Sequence, residues 1–561
     1  MTTMTRQQAL ATLTAAGEPY ALESREIGGR QLKVFVNAPA SLRALFSDTR
    51  SDATFIVFGE ERLTFAEAWD QAARIAHLLV HDFGVRKGDR VAISMRNYPE
   101  WITAFTAITS IGAIAVAMNA MWQAEELEYG LTDCGARVLF ADQERLDRLA
   151  QCSRDLDVRV IAVRPTRTEA STLSELLKSL GDVPMPEAGI APEDPATIFY
   201  TSGSTGHPKG VVASHRSILT ALFSWELDLQ AAALTAGVAA DVTATVAPAW
   251  PPATLLAVPL FHATGSHAVY LQSYRAQRKL VAMYKWDPEI AAELIERERI
   301  TSVIAPAAMT GDLVRVATAT RRDLSSLVTV GGGGAPRAPE QVRQIGTSFG
   351  QAMPNTGWGM TETNAIGTGI GGEDYLLRPA SSGRCSAVLE LKVVNEAGEE
   401  LPAGERGELL VRGTSLFQGY WNRPEVNAEA FVDGWFRTGD VAYLDDEGYL
   451  FIVDRIKDLI IRGGENIGCG QVEAALLMHP DVHEAAVYAV PDERLGEEVG
   501  ATVFASPDLD LAALRTFLSA HLARFEVPRY IRVTDAPLPR TASGKILKRQ
   551  LRDAGQADSV S

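Results

Sequence analysis

Cysteine is scarce in this chain, which has only four cysteines among 561 residues. None of Cys134, Cys152, Cys385 and Cys469 forms a CxxC pair. So few and so widely spaced thiols exclude a disulfide framework of the kind that stabilises small secreted proteins.

Basic residues are also in deficit, with 53 Lys and Arg against 70 Asp and Glu, for a formal net charge of −17. A protein that binds nucleic acid over a broad face needs the opposite balance. No nucleic-acid partner is therefore expected, although local basic pockets for small anions stay compatible with this composition.

Long apolar runs are lacking too. Residues 1–20 contain no continuous apolar core, so no signal peptide is expected. The uncharged stretch 102–121 is long enough to cross a bilayer, but Thr, Ser, Asn, Gly and Ala dilute it. We interpret it as a helix and a strand of an α/β core, and we expect a cytoplasmic protein with no integral membrane association.

The order of the elements predicts an α/β fold with two domains. In the first half, helical periodicity such as that of 65–83 alternates with short apolar runs such as 90–95, which is typical of α/β layers around a mainly parallel sheet. From residue 390 the pattern changes to strands joined by Gly and Asn/Asp turns, which indicates a β-rich subdomain. A compact α+β unit follows, so the predicted domains are 1–455 and 456–561.

The clearest local motif is Tyr200-Thr-Ser-Gly-Ser-Thr-Gly-His-Pro-Lys-Gly210, which follows a predicted strand. Glycines and hydroxyls on a short loop supply N–H and O–H donors, and Lys209 adds a positive charge, which suits a polyphosphate. It is not a GxxxxGK[ST] loop, because Pro208 precedes the lysine and Gly210 follows it. A flexible Ser/Gly turn is the competing interpretation.

Seven segments in order resemble the motifs of the acyl-activating, adenylate-forming superfamily, most closely those of bacterial fatty-acid–CoA ligases. They are YTSGSTGHPKG (200–210), PLFHATG (259–265), GGGGAP (331–336), NTGWGMTE (355–362), GWFRTGD (434–440), DRIKDLIIRGGENI (454–467) and PRTASGKILKR (539–549). The resemblance implies a large nucleotide- and acyl-binding domain and a small mobile domain. It also implies a reaction in which a carboxylic acid and ATP give an acyl-adenylate and pyrophosphate, after which a thiol displaces AMP.

The resemblance assigns a role to each motif residue. Thr201, Ser202, Gly203, Ser204, Thr205, Gly206 and Lys209 would hold the β- and γ-phosphates of ATP; Thr361 would contact the α-phosphate; Glu362 would bind Mg²⁺; Gly334, Ala335, Pro336, Gly357 and Trp358 would line the adenine site; Asp440 and Arg455 would hold the ribose. Lys545, on the small domain, would reach the carboxylate and the α-phosphate.

The second half-reaction is expected to use coenzyme A. The resemblance places a hinge at Lys457, about which rotation would bring Gly463, Gly464 and Glu465 to the thiol channel. The run Gly468-Cys469-Gly470 departs from the family, in which an aromatic or Ser residue and Pro are common. That departure puts the local geometry in doubt, and not the reaction.

The acid substrate is less defined. His262 occupies the family position that gates the acyl pocket, and the small residues Ala263–Ser266 follow it. Tyr270 or Trp358 would cap this pocket. No Lys or Asp is placed to recognise an amine or a second carboxylate, so we expect a medium- to long-chain fatty acid, with an aryl or sterol-derived acid as the alternative.

The acceptor also has an alternative. The chain is expected to transfer its acyl group to free CoA, but an enzyme that loads the phosphopantetheine arm of a separate carrier protein has the same motifs. A catalytically inactive binding relative is disfavoured, because Lys209, Glu362, Asp440 and Lys545 are all present. A homodimer is compatible with the sequence.

Overall fold

A computed structural model of the chain describes residues 4–167, 171–201, 207–237, 249–333, 337–463, 465–541 and 544–559, without the side chains of 555–559. The α-helices are α1 (Arg6–Leu13), α2 (Leu42–Asp48), α3 (Phe65–His81), α4 (Pro99–Ser110), α5 (Ala124–Cys134), α6 (Gln143–Leu149), α7 (Leu173–Lys178), α8 (His215–Thr235), α9 (Gln272–Arg275), α10 (Pro288–Glu298), α11 (Ala307–Ala319), α12 (Pro339–Ser348), α13 (Gly372–Leu377), α14 (Pro424–Ala430), α15 (Cys469–Leu477), α16 (Leu511–Ser519) and α17 (Lys548–Ser559). A π-helix spans Thr264–Leu271, and 3₁₀ turns span Thr361–Thr363 and Ile456–Asp458.

The strands of the large N-terminal domain are β1 (Leu22–Ile27), β2 (Arg30–Phe35), β3 (Thr54–Phe58), β4 (Glu61–Thr64), β5 (Arg90–Ser94), β6 (Ile114–Ala117), β7 (Val138–Asp142), β8 (Arg159–Val163), β9 (Pro195–Thr201), β10 (Lys209–Ser214), β11 (Ala253–Leu256), β12 (Lys279–Ala282), β13 (Ser302–Ala305), β14 (Thr329–Gly332), β15 (Met353–Thr356), β16 (Thr368–Gly371), β17 (Gly383–Cys385), β18 (Leu389–Val394), β19 (Gly407–Gly413), β20 (Gly419–Tyr420), β21 (Phe431–Val432), β22 (Trp435–Leu444) and β23 (Tyr449–Arg455). Those of the small C-terminal domain are β24 (Ile460–Arg462), β25 (Glu465–Ile467), β26 (Val482–Asp492), β27 (Gly496–Ala505) and β28 (Tyr530–Thr534).

Two sheets build the large domain around a shared core. One runs in the order β20-β10-β9-β6-β5-β7-β8 and is parallel from β9 to β8. The other joins a parallel half, β3, β12, β11, β13, β14 and β15, to an antiparallel half built from β16–β19 and β21–β23. The predicted α/β layers and β-rich subdomain are therefore confirmed.

Helix α3 shows why the sequence folds in this way locally. Thr64 caps its first turn and forms a capping box with Glu67, and the buried face carries Phe65, Trp69 and Leu79 at helical spacing. The stretch 102–121 proves to be α4 followed by β6, both almost wholly buried. No helix within the described ranges is long and apolar enough to cross a membrane.

The small domain forms its own five-stranded sheet, β25-β24-β27-β26 with β28 beside β27, and a separate apolar core. The apolar pattern predicts a helix from Leu511 to Phe525, but α16 ends at Ser519. The chain turns beyond it, where Glu526 accepts a hydrogen bond from the Ala523 N–H. Local hydrogen bonding therefore overrides periodicity at that point.

We expect Gly357→Ala to destabilise the large domain, because a Cβ added at Gly357 would overlap the Thr368 carbonyl oxygen. Such overpacking costs about 1–3 kcal/mol. Gly369→Ala is the matched control, since a Cβ at that neighbouring strand position meets no atom within 4 Å. Thermal unfolding of both variants measures the difference, and equal midpoints would contradict this account of Gly357.

Candidate active site

A buried carboxylate on the β22–β23 hairpin lies at the centre of the site. Asp440 and Arg455 are cross-strand partners, with Arg455 Nε 2.5 Å from Asp440 Oδ1. On the other side, Trp358 Nε1 donates a hydrogen bond to Asp440 Oδ2 over 2.7 Å. Burial raises the pKa of Asp440, and the charge of Arg455 and the Trp358 hydrogen bond oppose that rise.

The position of Asp440 depends on a β-bulge. The register of β19 against β22 shifts between Glu408 and Leu410, and Gly439 adopts φ 71°, which favours glycine. Thr438 Oγ1 donates to the Leu409 carbonyl and accepts from the Asp440 N–H. The bulge therefore turns Asp440 towards Trp358 and fixes it there.

A second buried carboxylate, Glu362, lies on the 3₁₀ turn Thr361–Thr363. Tyr420 donates its hydroxyl to Glu362 Oε1 over 2.9 Å, and Lys209 Nζ lies 5.3 Å from the Tyr420 ring centroid. Asn364 completes the turn at φ 57° and donates to the Ser415 carbonyl. Burial raises the pKa of Glu362, because the charged carboxylate is poorly solvated there. A bound cation would stabilise that charged form.

The predicted phosphate loop begins and ends on paired strands. Thr201, the last residue of β9, pairs with Lys209, the first residue of β10. The loop residues Ser202, Gly203, Ser204, Thr205 and Gly206 lie outside the described residues, as do Gly334, Ala335 and Pro336 of the predicted adenine site. The described part places Lys209 on the same side as Tyr420 and Glu362.

Glycines near the predicted adenine site allow strands to pack closely. A Cβ at Gly332 would lie 3.0 Å from Thr356 Oγ1, and one at Gly331 would overlap the Asn355 side chain. As described above, Gly357 lies against the Thr368 carbonyl of the neighbouring strand, which leaves no room for a side chain at this position. Trp358, which the resemblance places in the adenine site, donates its indole N–H to Asp440.

Lys545 enters this cleft from the small domain. Its turn is closed by hydrogen bonds from the Gly544 N–H to the Thr541 carbonyl and from the Lys545 N–H to Thr541 Oγ1. Gly544 has φ 81° and packs against Pro306 at the start of α11 in the large domain. The turn therefore docks directly on the large domain.

The charges around Lys545 come from both domains. Burial within the cleft and the nearby Arg455 lower the pKa of Lys545, Asp440 and Glu362 oppose that change, and Lys457 adds to it. The lysine side chain still reaches solvent, so it is enclosed by the cleft walls but not sealed from water. A cation is thus brought to two buried carboxylates.

His262 lies near Lys545, where the small domain contacts the large domain. Burial and then Lys545 lower its pKa to about 4, so the imidazole is neutral near pH 7. The π-helix begins just beyond it, and a Cβ at Gly265 would overlap the Pro259 carbonyl oxygen. Single π-helical turns are frequent at functional sites, because they redirect side chains.

Not every predicted residue joins this cluster. Lys457 lies on the 3₁₀ turn between the two domains and acts on Lys545 through its charge. Gly463 and Glu465 lie at the tip of the β24–β25 hairpin, and within the described ranges neither hydrogen-bonds to the Lys545 cluster. Gly464 lies outside the described residues.

The unusual Gly468-Cys469-Gly470 run packs against β23. The Cys469 N–H donates to Asp454 Oδ2 over 2.6 Å, and a Cβ at Gly468 would lie 3.0 Å from Val453 Cγ1. Burial raises the pKa of the Cys469 thiol, so it is an inert packing group. The departure therefore gives α15 a close fit against the large domain.

One residue of the site was not predicted from the sequence, and one predicted role is not supported by the structure. Tyr420, which holds Glu362, was missed because its Gly-Tyr-Trp context carries no distinctive pattern. Tyr270 packs in the core with its hydroxyl 2.8 Å from Thr106 Oγ1, beside Phe46, Phe55 and Phe105, so its surroundings do not support the expected pocket cap.

Comparison with known proteins identifies the relatives of this chain. The AMP-binding enzyme model matches residues 45–421, and the model of the AMP-binding enzyme C-terminal domain matches residues 471–545. A feruloyl-CoA synthase of an Amycolatopsis species is 34% identical over 89% of this chain and 95% of its own length. The long-chain-fatty-acid–CoA ligase FadD13 of Mycobacterium tuberculosis is 34% identical over 88% of this chain and 93% of its own length.

Solved structures are similar throughout. The anthranilate CoA ligase AuaEII in complex with anthranoyl-AMP superposes with a TM-score of 0.83 at 25% identity, over 93% of this chain and 99% of that one. A fatty acyl CoA synthetase of Mycobacterium tuberculosis superposes with a TM-score of 0.70 at 29% identity, over 92% and 99%. Both similarities extend over the large and the small domain.

We expect Lys545 to titrate below the ordinary lysine pKa of 10.5, because burial and Arg455 disfavour its charged form. Trace acetylation at a series of pH values, followed by mass spectrometry, measures its pKa without relying on activity. Lys457→Gln should raise the pKa by removing a repelling charge, and Asp440→Asn should lower it further. The pKa of Lys545 in the urea-unfolded chain is the reference. If the two variants shifted the pKa of Lys545 in the opposite directions, the charges assigned around Lys545 would be wrong.

Proposed function

The chain belongs to the AMP-binding enzyme family and is an ATP-dependent, AMP-forming acyl-CoA ligase, and we propose that its acid substrate is a medium- to long-chain fatty acid. The observation that best supports the adenylation chemistry is the meeting of Lys545 with Asp440, Glu362 and Arg455 in one cleft. A carboxylate that attacks a phosphate needs a positive charge at the point where the two anions approach.

In the proposed first step, a carboxylate oxygen of the acid attacks the α-phosphorus of ATP. The bond from that phosphorus to the bridging oxygen breaks, pyrophosphate leaves, and an acyl-adenylate remains. Lys545 would stabilise the charge that develops on the α-phosphate, where we also place Thr361. Asp440 and Glu362 oppose the lowering of the Lys545 pKa, and so favour its charged form.

We assign the rest of the ATP site by position. Asp440 would accept hydrogen bonds from the ribose hydroxyls while Arg455 and Trp358 hold it. Thr201 and Lys209, with the loop between them, would bind the β- and γ-phosphates. Glu362 suits Mg²⁺, an ion that proteins often hold through one or two carboxylates plus substrate phosphates. Such an ion would neutralise phosphate charge when bound.

The second step transfers the acyl group to the thiol of CoA. The sulfur attacks the acyl carbonyl carbon, the thiol proton passes to solvent, and the bond from that carbon to the phosphate oxygen breaks, so that AMP leaves. We propose that residues 456–561 rotate about Lys457, with 1–455 as the stationary domain, because Lys545 occupies the cleft in the present orientation. The strand β23 ends at Arg455, and the next sheet begins at Ile460.

The acyl site is proposed to lie along the π-helix that follows His262. The residues of this helix, Thr264–Leu271, include no Lys, Arg, Asp or Glu, and Thr264 Cγ2 lies 3.6 Å from the position of a Cβ at Gly333. Small, uncharged walls favour an apolar acid, with roughly 0.8 kcal/mol gained per buried methylene. The 34% identity to FadD13 supports the same substrate class.

An aryl acid is the second candidate, and one residue favours it. His267 is buried on the π-helix, and neither ring nitrogen has a well-formed hydrogen bond among the described residues. A polar ring substituent would give this imidazole a partner that a plain alkyl chain cannot supply. The 34% identity to a feruloyl-CoA synthase supports this alternative.

AMP formation from ATP and Mg²⁺ tests the proposal with acetate, octanoate, palmitate, ferulate and a sterol-derived acid, each with and without CoA. We expect CoA-dependent turnover with octanoate or palmitate, because apolar burial increases with chain length up to the limit of the pocket. Turnover with ferulate alone would overturn the fatty-acid assignment. An adenylate that accumulates and is not released by CoA would overturn the acceptor assignment in favour of a carrier protein.

A further inference from the structure

A small cavity lies beside the candidate active site, at the ends of strands from both sheets of the large domain. It has a volume of about 40 Å³, and its lining includes Arg96, Pro259, Phe261, Tyr284, Lys285 and Met309. This is room for a few water molecules or one small charged group, and not for a ring system.

Two cations without ion-pair partners line this cavity. Within the described ranges neither Arg96 nor Lys285 forms a salt bridge, in a chain whose net charge is −17. The Arg96 Nε is buried and has no hydrogen-bond partner, and its guanidinium lies 5.5 Å from the Tyr284 ring centroid. A buried donor of this kind is costly unless a ligand or water satisfies it.

The topology explains why these two residues meet. Arg96 follows β5 in one sheet, and Lys285 follows β12 in the other, so both lie beyond the carboxyl ends of parallel strands. Such ends are where α/β folds place ligands. The cavity lies wholly within residues 1–455, so rotation of the small domain about Lys457 would leave its lining intact.

The cavity also adjoins the reacting groups. Pro259 and Phe261 line it and lead directly to His262, while Met309 lies 3.9 Å from the position of a Cβ at Gly544, the neighbour of Lys545. The phosphates of ATP are assigned above to a different group of residues, which includes Lys209 and Glu362. Arg96 and Lys285 therefore form a separate cationic group, and CoA is the other substrate of the proposed reaction that carries phosphate.

We propose that Arg96 and Lys285 bind the phosphate that ends the pantetheine arm of the acceptor, CoA. The proposal rests on the proposed function, because it needs a phosphorylated thiol as acceptor. Arg and Lys together supply several N–H donors to phosphate oxygens, and Arg can contact two of them at once. The apolar residues Phe261 and Met309 line the side towards the reaction centre.

The test compares acyl transfer to CoA, dephospho-CoA, phosphopantetheine and pantetheine, with each rate normalised to the pyrophosphate exchange of the same preparation. Lys285→Ala and Arg96→Ala should each lower kcat/KM for the three phosphate-ended acceptors about tenfold, as expected for loss of a charge-assisted hydrogen bond. Both should leave kcat/KM for pantetheine unchanged.

Arg321→Ala is the matched control, because this exposed cation lies beyond the far end of α11, the helix that carries Met309. It should change none of the four values. Lys285 is exposed, so its variant should fold even if Arg96→Ala lowers the melting temperature.

The outcomes separate this inference from the proposed function. Wild-type turnover with CoA combined with an equal loss for CoA and pantetheine would overturn the phosphate site alone. A loss for CoA that is absent for dephospho-CoA would also overturn it, because it would assign the cations to the 3′-phosphate. Wild-type protein that forms adenylate but transfers it to no thiol would overturn both.

Discussion

The burial of two carboxylates in one cleft is the constraint on which the rest of this structure depends. Removing charge from water is expensive, and the raised pKa of Asp440 and of Glu362 records that cost. Each carboxylate is kept in place by a partner from a different part of the chain, Arg455 in one case and Tyr420 in the other. A site built in this way favours ligands that bring positive charge or hydrogen-bond donors.

Lys545 brings a positive charge close to these two carboxylates, and the proposed reaction needs that charge. It comes from the small domain, so its charge is present only while that domain is docked through Gly544 on Pro306 and through the Cys469 N–H on Asp454. A fixed lysine would remain in the cleft during both half-reactions. We propose that a lysine on a separate domain leaves the cleft after adenylation, which would make room for the thiol that accepts the acyl group.

Much of this fold could be predicted from the sequence, because strong periodicity decides local structure. Apolar spacing predicts the start of α3 at Phe65, although it extends the helix to residue 83 and α3 ends at His81. The meeting of Asp440 with Trp358 could not, since it depends on a register shift that no local pattern encodes. Tyr420 was missed for the same reason, because its role arises from contact across 58 residues of chain.

The central claim is that Lys545 acts in adenylation and not in thioester formation, and Lys545→Ala tests it most directly. Pyrophosphate exchange should fall by about 100-fold or more, the usual effect of losing one preorganised charge, while CoA should still release AMP from supplied acyl-adenylate at close to the wild-type rate. Arg549→Ala, an exposed cation four residues further on, is the control and should change neither rate. An equal loss of both half-reactions in Lys545→Ala would contradict the account.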